Sequence, residues 1–362
     1  MERFMSVPRV LQRCIDDGEI AGAGIRVRLN GDLAVDSAMG HADIAAGVPV
    51  ASDTVYRLCS MTKPITGVLA MTLVERGRLC LDEPVARWLP EFAHAPGLTV
   101  RMLMDHSCGI LEGPNEALFH AVHEESLAER VRRMARVPFD FEPGTGTGYS
   151  GMGGLDVLGR VIEVASDMSF DACLRKTLTD PLGLTDTTFT PSAEQLRRLA
   201  RLYEYTPGQP LKDVEDDADP LWNQVSPLRN RAHSGSGGLL GTLRDYERFA
   251  HMLLNEGELD GVRILRPETV RQMHTPSAAN GLELHPGCIW GLTMLIFRDN
   301  ASSGYSLFDG TYGWSGAFGT HFFIAPAQAL EVTMVMNRSN IGGADSHIAR
   351  AVEKAVYEAV RQ

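Results

Sequence analysis

Near its start the chain places apolar residues at Val7, Val10, Leu11 and Ile15, a spacing that predicts a helix over residues 2–17. Gly22–Met39 then alternates as a strand pair does, with Asn30-Gly31 where a tight hairpin turn wants positive φ. Met61–Arg76 is apolar at Ile65, Val68, Leu69 and Leu73 and runs into Gly77, which predicts a buried helix with a glycine cap. From Asp82 to about Leu228 proline and glycine punctuate short amphipathic pieces such as Leu127–Val137 and Leu155–Ala165. Thr242–Glu256 is helical again, opened by Thr242 as N-cap and Asp245 in the first turn. Tyr312–Ser315, His321–Ala325 and Glu331–Asn337 read as strands, and Asp345–Val360 as a closing helix.

This order predicts an α/β (α+β) chain with an antiparallel sheet flanked by the terminal helices. At 362 residues the chain exceeds what one core normally serves, so two lobes are expected. Residues 1–81 and 232–362 are assigned to a sheet-containing α/β lobe and 82–231 to a mostly helical insertion, with the active site in the cleft between them.

Composition narrows the function. Hydrophobic residues at 44% and charged residues at 22% are ordinary for a globular protein. A net charge of −12 argues against nucleic acid as a partner, since phosphate binding needs a basic face. The acidic run Val214–Asp219 lacks the glycine and closing glutamate of a calcium loop and reads as a solvated loop. Cys14, Cys59, Cys80, Cys108, Cys173 and Cys288 lack the clustered spacing of a disulfide framework or zinc site, so reduced thiols and a cytoplasmic location are expected. The charged start has no apolar run of the signal-peptide kind. The uncharged stretch Gly310–Leu330 holds too many polar residues and glycines to span lipid.

The strongest chemical signal is Cys59-Ser60-Met-Thr-Lys63-Pro64 at the head of the apolar helix. Serine is a weak nucleophile until a base takes its proton, and a residue three positions on shares its helix face. The helix start also offers backbone N–H groups where an oxyanion would form. A lysine base must shed a proton that an ordinary ammonium holds to about pH 10.4, so its surroundings must be unusual. Alone, the motif fits an ordinary capped helix with a surface lysine better than a catalytic pair. Two further elements shift the balance. Pro143–Gly151 is a glycine-rich loop delivering Tyr149 and Ser150 ahead of a helix, and a phenol beside a cation can relay a proton. Gly313-Trp-Ser-Gly-Ala317 is a small-residue strand with room for a substrate against its backbone.

Taken together, these segments resemble the serine β-lactamase and penicillin-binding-protein superfamily, in its class C–like branch. Ser60-Met-Thr-Lys63 is similar to the first motif, Tyr149-Ser150 to the second and Trp314-Ser315-Gly316 to the third. Asp53–Arg57, Leu81–Pro90, Leu103–Ile110, Ser234-Gly-Ser-Gly-Gly-Leu239 and Asp245–Phe249 extend the resemblance over nearly the whole chain. It implies Ser60 as acylated nucleophile, Lys63 as its proton partner and Tyr149 as general acid/base. The backbone N–H groups of Ser60 and Ala317 would form the oxyanion hole. Substrate contacts would come from Trp314, Ser315, Gly316 and Gly151, with no cofactor.

Two departures bear on substrate. Gly151 stands where the second motif usually ends in Asn, and Trp314 where antibiotic-hydrolysing members carry a cation. An aromatic residue there resembles the family VIII carboxylesterases, as does Leu155-Asp-Val-Leu-Gly159 after the tyrosine loop. The expectation is a carboxylesterase acting on a small uncharged ester. A β-lactamase, a D-amino-acid peptidase or amidase, an acyltransferase, and a non-catalytic binding protein of the same fold are the alternatives. The Gly-x-Ser-x-Gly elbow of α/β-hydrolases is missing. His106 and His233 are read as structural, and His120 with His123 lacks a third ligand, so no metal is expected. Trp290 is either an acyl-pocket wall or core. Arg229 or Arg231 could still meet a substrate carboxylate.

Overall fold

The computed structural model describes residues 2–111, 125–215, 232–277 and 281–362. The chain opens with helix α1 (Ser6–Asp16) and the hairpin β1 (Gly22–Leu29) and β2 (Asp32–Asp43). Asn30 and Gly31 turn it at φ 53° and 86°, as a hairpin dipeptide of this kind should. β3 (Val48–Pro49) lies on the edge. Late in the chain come β4 (Cys288–Trp290), β5 (Leu295–Phe297), β6 (Thr311–Ser315), β7 (His321–Ala325) and β8 (Leu330–Met336). They join the hairpin in one antiparallel sheet, ordered β4-β5-β6-β7-β8-β1-β2-β3. β4 and β5 extend the predicted sheet by two short strands.

Helix α1 and the closing helix (His347–Arg361) cover one face of the sheet, burying Val7, Leu11, Ile348, Val352 and Val356 against Phe323, Val332 and Met334. The other face meets α2 (Thr62–Glu75), which is buried on every side from Thr62 to Leu73. Gly77 takes φ 65° just past its end, as the glycine cap requires. Against α2 packs α4 (Gly153–Ser166), and against α4 packs α3 (Leu127–Met134), burying Val131, Leu155, Leu158 and Ile162 in the same apolar cluster. A helix at Leu243–Leu254 completes that side, its Asp245 N–H capped by Thr242 Oγ1 at 3.2 Å.

Among the described residues no helix is long and apolar enough to cross a membrane. All six cysteines are free, Cys80 exposed and Cys59, Cys108, Cys173 and Cys288 buried. The acidic run departs from a solvated loop where it is described: Val214 is buried and Glu215 pairs with Arg57. His120, His123, Arg229, Arg231 and residues 216–219 lie outside the described residues.

Candidate active site

A tight turn at Cys59–Met61 feeds directly into α2 and carries Ser60 at its centre. Cys59 adopts φ 48°, a conformation most side chains avoid, and this lifts Ser60 out of the core. One helical turn later Lys63 is fully buried, yet all three of its ammonium protons have acceptors. Nζ donates to Ser60 Oγ at 3.2 Å, to the Gly151 carbonyl at 2.5 Å and to the Ser236 carbonyl at 2.9 Å.

The glycine-rich loop brings Tyr149 to the same point. Its hydroxyl lies 2.7 Å from Ser60 Oγ, and its ring centroid 5.0 Å from Lys63 Nζ. Trp314 on β6 donates its indole N–H to the Tyr149 oxygen at 3.2 Å. Ser150 turns away from this cluster: its hydroxyl donates to the Ile110 carbonyl and accepts from Gly154 N–H at 2.8 Å, tying the loop to the start of α4. His106 holds the loop from below, its Nδ1 accepting from Ser150 N–H at 3.1 Å. Burial and the nearby Lys63 charge push His106 well below the usual histidine range, so it stays neutral.

Strand β6 meets the nucleophile turn at Gly316. A Cβ there would lie 2.2 Å from Thr320 Oγ1 and 2.3 Å from the Leu58 carbonyl, so only glycine fits this close approach. The Cys59 thiol lies against the backbone N–H groups of Phe318 and Ala317, and burial pushes it up to about 12. Ser315 departs from its predicted place among the substrate contacts. Strand alternation sends its side chain to the opposite face, where Oγ lies 2.6 Å from His321 Nδ1. Of Ser315 the backbone alone remains for a substrate. Trp290 is core: wholly buried, it packs 4.1 Å from the His106 ring and 4.7 Å from Trp314, backing the aromatic wall.

The structure therefore gathers Ser60, Lys63, Tyr149 and Trp314 in one hydrogen-bonded cluster, with the Gly151 backbone beneath it. Sequence reasoning noticed Ser234–Leu239 but assigned no role to Ser236, whose carbonyl holds Lys63. A backbone acceptor leaves no side-chain signature to find. His106 contacts the Ser150 backbone, in keeping with a structural role.

Comparison with known proteins identifies the family and the fold. The Beta-lactamase family model matches residues 7–357. The esterase EstB of Burkholderia gladioli is 31% identical over 96% of this chain and 93% of its own. Among solved structures, "EstCE1, a hydrolase with promiscuous acyltransferase activity", superposes with a TM-score of 0.84 at 24% identity, covering 98% of this chain and 99% of the other. Unliganded simvastatin synthase (LovD) from Aspergillus terreus gives 0.80 at 22% identity, covering 99% and 98%. The chain belongs to the Beta-lactamase family and has the fold of its serine hydrolases.

Proposed function

We propose that the protein is a serine carboxylesterase that cleaves small, uncharged esters through an acyl-Ser60 intermediate. The observation that carries this reading is the hydrogen-bond chain from Trp314 through Tyr149 to Ser60, met from the other side by Lys63. Two of the acceptors on Lys63 are backbone carbonyls, which can only accept, so they fix where its N–H groups point. Once the Lys63–Tyr149 pair has lost one proton, Tyr149 as phenolate, held by the Lys63 charge and the Trp314 N–H, is the group placed to take the Ser60 proton. Ser60 Oγ bonds to the ester carbonyl carbon while the N–H groups of Ser60 and Ala317 receive the oxyanion. At Ala317 the weak sulfur acceptor of Cys59 gives way to the stronger anion. Tyr149 next passes its proton to the departing alkoxide, and a water activated the same way releases the acid. Lys63 thus acts as electrostatic proton partner and Tyr149 as general acid/base.

The substrate class follows from two side chains. β-Lactams and C-terminal D-amino acids carry a carboxylate near the scissile carbonyl. Indole at position 314 and glycine at 151 offer it neither a cation nor an amide, and the Ser315 hydroxyl faces His321. A hydrogen bond to a charged group is worth about 1.5–3 kcal/mol, or roughly 10- to 150-fold in kcat/KM. The indole of Trp314, backed by the buried Trp290, favours apolar groups instead. The same reading divides the chain into a sheet lobe (1–81 and 232–362) and a mostly helical lobe (82–231), and places it in the cytoplasm, in keeping with six unpaired thiols.

The test compares kcat/KM for p-nitrophenyl butyrate and nitrocefin in the wild type and in Trp314→Lys. The wild type is expected to favour the ester strongly, and the lysine variant to gain on nitrocefin relative to the ester. Preference of the wild type for nitrocefin overturns the esterase reading.

A further inference from the structure

A buried ion pair lies one residue behind the partner of the lysine. Arg130 on α3 and Asp156 on α4 are both fully enclosed, and Arg130 Nε donates to Asp156 Oδ2 at 2.7 Å. Asp156 Oδ1 accepts from Ser236 N–H at 2.9 Å and from the Ser234 hydroxyl at 2.6 Å. Ser236 in turn presents its carbonyl to Lys63 Nζ at 2.9 Å. Asp156 therefore grips the N–H of the residue whose carbonyl receives the ammonium. The Ser236 hydroxyl, donating to the Met152 carbonyl at 2.8 Å, stops this segment from rotating.

The pair contributes little net stability, because desolvation of two buried charges offsets their attraction. Its field is another matter, since a low-dielectric interior screens charge weakly. Among the described residues the terminal nitrogens of Arg130 make no hydrogen bond, so Asp156 is its hydrogen-bonded counter-charge there. The other titratable groups facing Lys63 are Tyr149 from the glycine-rich loop, His106 behind it and Cys59 on the nucleophile turn. His106 and Cys59 are neutral at ordinary pH, the first pushed down and the second pushed up by burial. That leaves Asp156 and Arg130 as the fixed charges joined to the hydrogen-bond partners of Lys63.

We infer that Asp156 and Arg130 are positioning residues for Lys63. Asp156 fixes the Ser236 carbonyl under the ammonium, and Arg130 cancels the carboxylate charge that would otherwise hold the catalytic proton too tightly. This rests on the Ser60–Lys63–Tyr149 reading above, in which activity rises with pH as the coupled Lys63–Tyr149 pair loses one proton. The signs are opposite for the two partners. Without Arg130 the bare Asp156 charge retains that proton, and the rising limb of activity moves to higher pH. Without the Asp156 charge the bare Arg130 expels it, and the limb moves to lower pH. A single unscreened buried charge at this remove is worth about one pH unit.

The experiment is the pH profile of kcat/KM on p-nitrophenyl butyrate for wild type, Arg130→Met, Asp156→Asn, the double variant and Ser60→Ala. Arg130→Met should move the limb up by about one pH unit, Asp156→Asn down by about one, and the double variant should return close to wild type. Shifts in the same direction, or none, overturn the inference, because a merely structural pair would lower rates without moving the limb in opposite senses. Should Arg130→Met fail to fold by circular dichroism, Ser234→Ala decides. It keeps both charges but strips one donor from Asp156, so the limb should rise, and an unmoved limb overturns the inference. A Ser60→Ala protein that keeps the wild-type rate would sink the catalytic reading itself. An inactive Ser60→Ala with unmoved limbs would sink the positioning role alone.

Discussion

The indole N–H of Trp314 donates to the phenol oxygen of Tyr149 at 3.2 Å, joining two residues 165 positions apart in the chain. The rings meet at a centroid distance of 4.9 Å, so one side chain supplies both an apolar wall and a hydrogen-bond donor to the acid/base. Trp314→Phe separates these roles, because it keeps the wall and deletes the donor. If the bond strengthens as Tyr149 gains negative charge, its loss costs about 1.5–3 kcal/mol of the barrier, or roughly 10- to 150-fold in kcat. KM for an uncharged ester should change little. Steady-state kinetics on p-nitrophenyl butyrate checks this, and a kcat within twofold of wild type would show that the donor plays no part in the chemistry.

Gly316 is where the β6 strand touches the nucleophile turn. Gly316→Ala must push the strand end away from Leu58 and Cys59, since the added carbon would sit 2.3 Å from a carbonyl oxygen. Misplacing a reacting group by about an ångström can cost 100-fold in rate. The variant should lose roughly that much kcat while remaining folded by circular dichroism. Retention of a third or more of the wild-type rate would mean that the strand end does not hold the Ala317 N–H in register.

His106 makes stability depend on pH. Its folded form is kept neutral, whereas in the unfolded chain it titrates near 6.5. The unfolded state therefore binds the extra proton first, and the stability that His106 contributes is complete above about pH 6.5 and lost as pH falls below it. The slope reaches about 1.4 kcal/mol per pH unit for one such group. His233 and His274 are lowered in the same sense and add to it. Urea unfolding at pH 7, 6 and 5 should show a steep loss in the wild type and a shallower one in His106→Gln. Parallel losses in both proteins would place His106 outside this linkage.

Much of this arrangement is legible in the sequence. The period of the apolar residues in α2 ran up to Ser60 and Lys63, so both the helix and its chemistry stood in one stretch of chain. The Asn30-Gly31 turn and the late strands from Thr311 to Met336 carried equally local signals. What escaped the sequence depends on distant partners or on backbone. β4 and β5 are three residues each, too short for an alternation to declare itself, and they are strands because Leu295 pairs with Trp290 on one side and Gly313 on the other. The Ser315 hydroxyl looked available until its register opposite His321 turned it to the other face. Ser236 acts through a carbonyl that every residue type possesses. Asp156 was visible within Leu155–Gly159, but its link to Lys63 runs through a segment 80 residues away.

The central claim is that Ser60 is the acylated nucleophile, and covalent trapping tests it most directly. The protein is treated with an uncharged p-nitrophenyl alkylphosphonate until esterase activity is lost, then digested and mapped by mass spectrometry. The account predicts a single phosphonylated residue, Ser60, appearing in step with the loss of activity. An adduct on Ser150, Ser236 or any other serine, or inactivation with Ser60 unmodified, would contradict it.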